Sequence, residues 1–246
     1  SHMRSAHDLR QNMIGIGILW KYGYYDQMRN DDQTMRVQFQ KKYYTYLEDS
    51  GITVTVMVNR HPVKVKALVL RPEVFGTVPM YFLTTNIPEN DHLARTITYH
   101  LYDREPSTRI AQSIVLGIAG AKVVEELGGA DIYHMNEGHA LPLAFYLHEK
   151  YGSTEDVRKR VVFTTHTPEK AGNEVHDIHL LNDMSFFNKT SLEEARHMTG
   201  MHGNFFDYTL AALRIAKVAN GVSQLHGQVA RDMWYENDNV CEIKAI

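Results

Sequence analysis

Hydrophobic and polar positions along the 246 residues fall into three regimes. Residues 13–19, MIGIGIL, are an apolar run carrying two glycines, which predicts a buried strand. The stretch WKYGYYDQ (20–27) follows as an aromatic anchor at the strand exit or as a ligand-facing turn. From 52 to 84 the pattern changes to ITVTVMV, VKVKALVL and VPMYFL, β-branched and aromatic runs separated by Asn59–Pro62 and Pro72–Gly76. That predicts a meander of antiparallel strands. From Thr108 the period becomes helical: Ile110, Ile114, Val115, Ile118, Ala121 and Val124 form one stripe, closed by Gly128-Gly129. Strand and helix then alternate, with strands at 131–135 and 161–165 and helices at 138–150, 209–219 and 227–235. Residues 221–225 read as a short strand or turn. A long polar segment, 166–202, contains one capping box starting at Ser191, and VCEIKAI (240–246) begins a strand or connector.

Such βαβ units imply a parallel sheet. In open α/β sheets, ligands sit beyond the carboxyl ends of the strands. That rule selects Asn136-Glu137-Gly138-His139, then His166-Thr167-Pro168, then Gln224 and His226. Each cluster alone has a structural explanation, as a helix cap or a satisfied histidine. Three clusters on one edge favour a site. Amides, carboxylates and imidazoles suit a neutral polyol, and Tyr22, Tyr24 or Tyr25 could stack on apolar sugar faces.

Composition narrows the function classes. The chain is 43% hydrophobic and 22% charged with a formal net charge of -3, which gives no electrostatic grip on nucleic acid or anionic lipid. Cys241 is the single cysteine, so there is no internal disulfide and no thiolate metal cluster, and a cytoplasmic setting is expected. No apolar run approaches the roughly 20 residues of a membrane span. Fourteen histidines invite a metal, yet there is no HExxH and His176/His179 is a lone pair, so none is expected. Walker and dinucleotide loops and a nucleophile-elbow serine are absent. Glu105 or Glu137 beside Asp103 would form a glycosidase-like carboxylate pair only by chance spacing. Ser1-His2-Met3 reads as a tag remnant, and both ends read as chosen boundaries.

Six blocks resemble, in order, the α-glucan phosphorylases: SAHDLRQNMIGIGILWKYGYYDQ (5–27), VPMYFLTTNIPEN (78–90), TRIAQSIVLGIAGAKVVEELG (108–128), HMNEGHA (134–140), FTTHTPEKAGNE (163–174) and VANGVSQLHGQVARDMW (218–234). They are most similar to the short bacterial and archaeal type of this glycogen, starch and maltodextrin phosphorylase family, glycosyltransferase family 35. The resemblance implies an α/β fold: a Rossmann-like parallel sheet, the N-terminal domain of a GT-B glycosyltransferase, with an antiparallel β-meander insertion. Residues 4–246 would be part of that domain, with the meander at about 52–105 and the βαβ units at about 108–246.

The implied reaction is reversible phosphorolysis of α-1,4-glucan to α-D-glucose 1-phosphate. Pyridoxal phosphate would be held by a lysine beyond Ile246, so the piece alone is expected to be inactive. Implied partners are the glucan, phosphate or glucose 1-phosphate, the C-terminal domain of the same enzyme and a second copy as a homodimer, with no nucleic acid or membrane. Carried over by position, His166 is the catalytic-subsite histidine, with Asn136, Glu137, His139, Thr167 and Arg109 lining the substrate pocket. Departures fall at Tyr102–Pro106, where the short type reads YGGD, and at Lys170 and His176 within PEKAGNEVHD. The alternatives are a glycogen or starch synthase, whose strand end reads HxHDWH where this chain has His134–His139, and a non-catalytic glucan-binding module.

Overall fold

The computed structural model describes residues 1–246, and the chain divides into two compact units: residues 1–56 with 62–123, and residues 57–61 with 124–246. Six strands precede a helix that begins at Pro106: β1 (Gly15–Ile18), β2 (Asp26–Arg29), β3 (Met35–Gln38), β4 (Glu48–Val58), β5 (His61–Leu70) and β6 (Met80–Thr84). One sheet has the order β1-β6-β5-β4. The β6 strand runs antiparallel to β5, with Leu70 opposite Met80, and parallel to β1, with Gly15 opposite Met80. Strands β4, β5 and β6 thus lie side by side in sequence order, as in a meander, and β1 joins them as a parallel edge strand.

Alternation explains its buried face. Val54, Val56, Val58, Val63, Val65, Ala67 and Val69 are buried, while Lys64, Lys66 and Leu68 occupy the other side of β5. Each buried valine contributes about 1.5 kcal/mol or more. Asn59 and Arg60 join β4 to β5 with φ of +48° and +63°, the two positive values that a two-residue hairpin with matching twist demands.

The antiparallel pair β2–β3 has no counterpart in the sequence reading. Its residues are almost all exposed, so no apolar alternation marks it. The Thr34 hydroxyl donates to the Asp32 carboxylate at 2.6 Å and helps to hold this carboxyl below its ordinary range.

The helical stripe is buried as its period predicts. Pro106–Ile114 is α-helical, Val115–Ala119 widens to one π-turn, and Gly120–Glu126 resumes the α-helix. Gly128 and Gly129, with φ of +105° and +86°, follow its end. Residues 2–8 are helical too, and the Val78 amide donates to the Met3 carbonyl at 3.1 Å.

The second unit holds β7 (Tyr133–Asn136), β8 (Val161–Thr165), β9 (Val175–Asp177), β10 (Phe205–Asp207), β11 (Val218–Gly221) and β12 (Ile243–Ala245). Its main sheet has the order β7-β8-β11-β12 and is parallel throughout. Tyr133, Met135, Val161, Phe163, Thr165, Ala219 and Gly221 bury one face of it. His134, Asn136, Thr164 and Asn220 share the opposite face. Phe145, Phe186, Phe187, Phe206 and Tyr208 form an aromatic core, with the Phe145 and Phe187 rings 4.9 Å apart and edge-on. Helices in this unit start on oxygen caps: Ser153, Asp177, Ser191, Asp207 and Ser223 each accept a backbone N–H of the first turn.

One helix is shorter than its pattern suggests. The helix read over 209–219 spans Tyr208–Ile215, and Ala216 is already extended at ψ 151°. Strand pairing takes the rest: the Lys217 amide donates to the Val161 carbonyl at 2.8 Å, and Val218 lies opposite Val162. The segment 166–202 is also more ordered than expected, with β9 and the helices Ile178–Asp183 and Leu192–Thr199. The fold is thus a mixed α/β one with both parallel and antiparallel sheets. No helix is long and apolar enough to cross a membrane.

Candidate functional site

The carboxyl ends of β7 and β8 bring four of the six sequence-selected residues together. Asn136 ends β7 and stands opposite Thr164 of β8, so the residues that follow leave the sheet side by side. Glu137 comes next with φ +66° and ψ 176°, a conformation that glycine adopts readily and glutamate does not. The neighbours fix it there. The Glu137 amide donates to the Thr164 carbonyl at 2.8 Å. Its carboxylate accepts the His166 amide N–H, and the Thr167 hydroxyl at 3.2 Å. A Cβ on the following residue, Gly138, would lie 2.9 Å from Cβ of Tyr208, so only glycine lets the turn pack against that helix.

His166 is exposed and its Nε2 lies 2.5 Å from Oδ1 of Asn136. An amide oxygen only accepts, so Nε2 carries a proton and donates to it, which leaves Nδ1 outside that bond. The ring is thus oriented by one strand end while its backbone is held by the glutamate beside it. The Thr167 carbonyl faces Nε2 of His226 at 3.4 Å, and Nδ1 of His226 accepts the Val222 amide at 3.1 Å. Those two contacts assign His226 the Nε2–H tautomer and tie the third strand end, after β11, to the second. Thr167 is further packed against Gly172, where a Cβ would meet its methyl at 2.9 Å.

His139 lies in the 3₁₀ turn Gly138–Ala140 that follows Glu137. Arg109 is in the first unit, on the helix Pro106–Ile114, where Nη1 donates to the Asp103 carbonyl at 3.5 Å. Asp103 itself accepts the Glu105 amide at 2.9 Å in the loop where Tyr102 has φ +55°. That loop therefore uses the Asp103 carboxylate for its own turn.

A polar ladder across the sheet lies outside the sequence-selected set. Nε2 of His134 is 2.7 Å from the Thr164 hydroxyl, which donates to Oδ1 of Asn220 at 2.7 Å. It sits on the same face of the sheet as Asn136. The available signal was the strand pattern, since YHMN and VANG alternate a buried apolar residue with a polar one.

A family model described as the starch synthase catalytic domain matches residues 18–228. The chain belongs to this family. Proteins of other names are similar to it as well. An uncharacterized protein of Methanocaldococcus jannaschii is 50% identical over 246 residues, which is 100% of this chain and 47% of that protein. The maltodextrin phosphorylase of Thermococcus litoralis is 31% identical over 95% of this chain, and the glycogen phosphorylase of Mycobacterium tuberculosis 32% over 96%. The chain spans 30% and 31% of the lengths of those two phosphorylases. Together the family and the relatives establish a glycosyltransferase-type chain related to the glucan phosphorylases.

Within such a chain, the cluster can do three things chemically. It offers one imidazole whose Nδ1 is not used in the bond to Asn136, one carboxylate pinned by two donors, and amide and hydroxyl groups at fixed spacing. These are hydrogen-bonding groups for a polyhydroxylated ligand, with one group able to take up or hold a proton.

Proposed function

We propose that this chain supplies the glucosyl-side wall of an α-glucan phosphorylase. That enzyme would carry out reversible phosphorolysis of α-1,4-glucan to α-D-glucose 1-phosphate on a GT-B scaffold. The observation that carries the reading is the strained Glu137 turn holding His166. Backbone strain of this kind persists only where surrounding contacts enforce it, and it gathers at functional sites. Here the contacts that enforce it come from the two residues after the next strand.

In this reading His166 hydrogen-bonds a glucose hydroxyl through Nδ1. Its main-chain carbonyl faces the anomeric carbon and favours the positive charge that develops there. Glu137 fixes the peptide that carries both groups, Asn136 sets the ring plane, and Thr167 and His139 line the pocket. Pyridoxal phosphate would supply its phosphate as the proton-relay group. The residues here form no seat for it: the hydrogen-bonded cluster contains no lysine, and Lys170 stands over the Trp234 ring, 5.4 Å from its centroid. The cofactor, the C-terminal domain, the phosphate grip and a homodimer interface are therefore assigned to the longer cytoplasmic enzyme, and this chain alone is expected to be inactive.

The second reading, transfer from a nucleotide sugar, is favoured by the description of the family model. One assay separates them. The longer parent enzyme is given maltoheptaose with phosphate, or maltoheptaose with a nucleotide glucose. Release of glucose 1-phosphate, lowered by at least 100-fold in His166→Ala, is the expected result. Turnover of the nucleotide sugar with indifference to phosphate overturns the proposal.

A further inference from the structure

A cavity of about 320 Å³ opens at the amino edge of the parallel sheet, within the size range of small-molecule sites. Topology puts it there. Thr154, Glu155 and Arg158 lie on the helix that precedes β8, and Arg214 lies on the helix that precedes β11. His197 contributes from the helix Leu192–Thr199 and Asn239 from the loop before β12. The β8 strand has five residues, so at about 3.3 Å each this edge is ~16 Å from His166.

The two arginines are tethered but not neutralised. Nη2 of Arg158 donates to the Arg214 carbonyl at 2.7 Å. Nε of Arg214 donates to the Asp238 carbonyl at 3.1 Å, and Nη1 to the Thr199 and Gly200 carbonyls at 2.9 and 3.2 Å. These bonds close two helix ends, a structural duty that cations perform well. All four acceptors are neutral, however, and neither guanidinium has a carboxylate partner. A guanidinium carries about five N–H groups, so Nη2 of Arg214 and Nη1 of Arg158 remain unspent. Nε of Arg158 is buried and makes no hydrogen bond. Helix capping explains the backbone bonds and leaves two positive charges around one cavity. The carboxylate among the lining residues is the exposed Glu155.

We infer that this cavity is a binding site for a phosphate group, either inorganic phosphate or a phosphate monoester. The unspent Nη groups of the two arginines can donate to the oxygens of a tetrahedral dianion, and Thr154, His197 and Asn239 line the same cavity. The inference is independent of the glucosyl-transfer reading, because the two sites lie at opposite edges of the sheet.

The test is calorimetric and NMR titration of the 246-residue chain with inorganic phosphate, phenyl phosphate and malonate at constant ionic strength. Saturable one-site binding is expected, with amide shifts at Gly200 and Asn239. Tighter binding of inorganic phosphate would identify the free ion as the ligand; tighter phenyl phosphate would identify a monoester. Arg158→Gln keeps a donor for the Arg214 carbonyl and should weaken binding about tenfold or more, the scale of one charge-assisted pair. Glu155→Gln, on an exposed position, should strengthen it a few-fold. Asn136→Ala should leave it unchanged. No saturable binding, equal binding of malonate, or insensitivity to both the Arg158 and Glu155 variants would overturn the inference.

Discussion

At an ordinary position, replacing alanine by glycine destabilises a protein by roughly 0.5–1 kcal/mol, because glycine has more freedom to lose on folding. Residue 137 should reverse that sign. Its φ of +66° and ψ of 176° cost a residue with a Cβ about 1–3 kcal/mol. Glu137→Ala keeps the strain and loses the two bonds accepted by the carboxylate, at a cost of about 1.5–3 kcal/mol. Glu137→Gly loses the same bonds but releases the strain. The difference between the two variants should therefore favour glycine by about 1 kcal/mol. The assay is urea unfolding in a Trp20→Phe background, so that the buried Trp234 reports the second unit alone. With a slope near 2–3 kcal/mol/M, the glycine midpoint should lie ~0.4 M above the alanine midpoint at unchanged slope. An alanine variant that is the more stable by 0.5–1 kcal/mol would refute the strain, and with it the observation on which the functional proposal rests. Both variants should remain below the parent or near it, since neither restores the hold on His166.

Two further expectations concern ionisation. Burial holds the Asp207 carboxyl above its usual range, partly opposed by backbone N–H groups of Leu210 and Thr209. Its folded pKa is raised, so its contribution to stability is fully present below the unfolded value near 4 and is lost as pH rises through the folded one. Asp207→Asn keeps the cap on Leu210 without the charge. Its stability relative to the parent should rise from pH 3 upward and level off once Asp207 is ionised, and a flat difference in urea midpoints from pH 3 to 7 would contradict this. Burial likewise pushes the Cys241 thiol up to about 11. Iodoacetamide at pH 8 should alkylate it roughly 100-fold more slowly than a free cysteine, and mass spectrometry showing comparable rates would refute that.

Periodicity made much of the fold legible. The stripe from Ile110 to Val124 is buried, and VVFTT (161–165) is β8 to the residue. The β2–β3 hairpin escaped because Asp26–Arg29 and Met35–Gln38 bury nothing, so alternation carries no information there. Val218–Gly221 escaped for the opposite reason: TLAALRIAKVA has a helical period up to its end, and the ladder to β8 overrides it only in the last residues. For the candidate site, the topological rule gathered Asn136, Glu137, His166 and Thr167 on one edge before any coordinates. It had no access to the φ of Glu137 or to the hydrogen-bond partners of His166 and His226. Those depend on three-dimensional partners that no local pattern encodes.

The same distinction explains why a synthase-named family and phosphorylase-named relatives both match this chain. A parallel sheet with buried Met135, Phe163 and Ala219, and helices started by Ser or Asp caps, is scaffold that any enzyme on this fold needs. Chemistry is written in a few residues past the strand ends. In this chain the segment after β7 reads Asn136-Glu137-Gly138-His139, and its glutamate accepts the amide of the histidine after β8. That turn needs a glycine after the glutamate, because Tyr208 leaves no room for a Cβ at Gly138. A synthase-like HDWH segment would place a large side chain where Gly138 stands, and the Glu137–His166 bond would not form in this geometry. On the phosphorylase reading proposed above, this tight turn serves phosphorolysis, and Glu137→Gln in the longer enzyme tests the role of its charge: the amide is isosteric but uncharged, so it should lower glucose 1-phosphate formation without unfolding the protein.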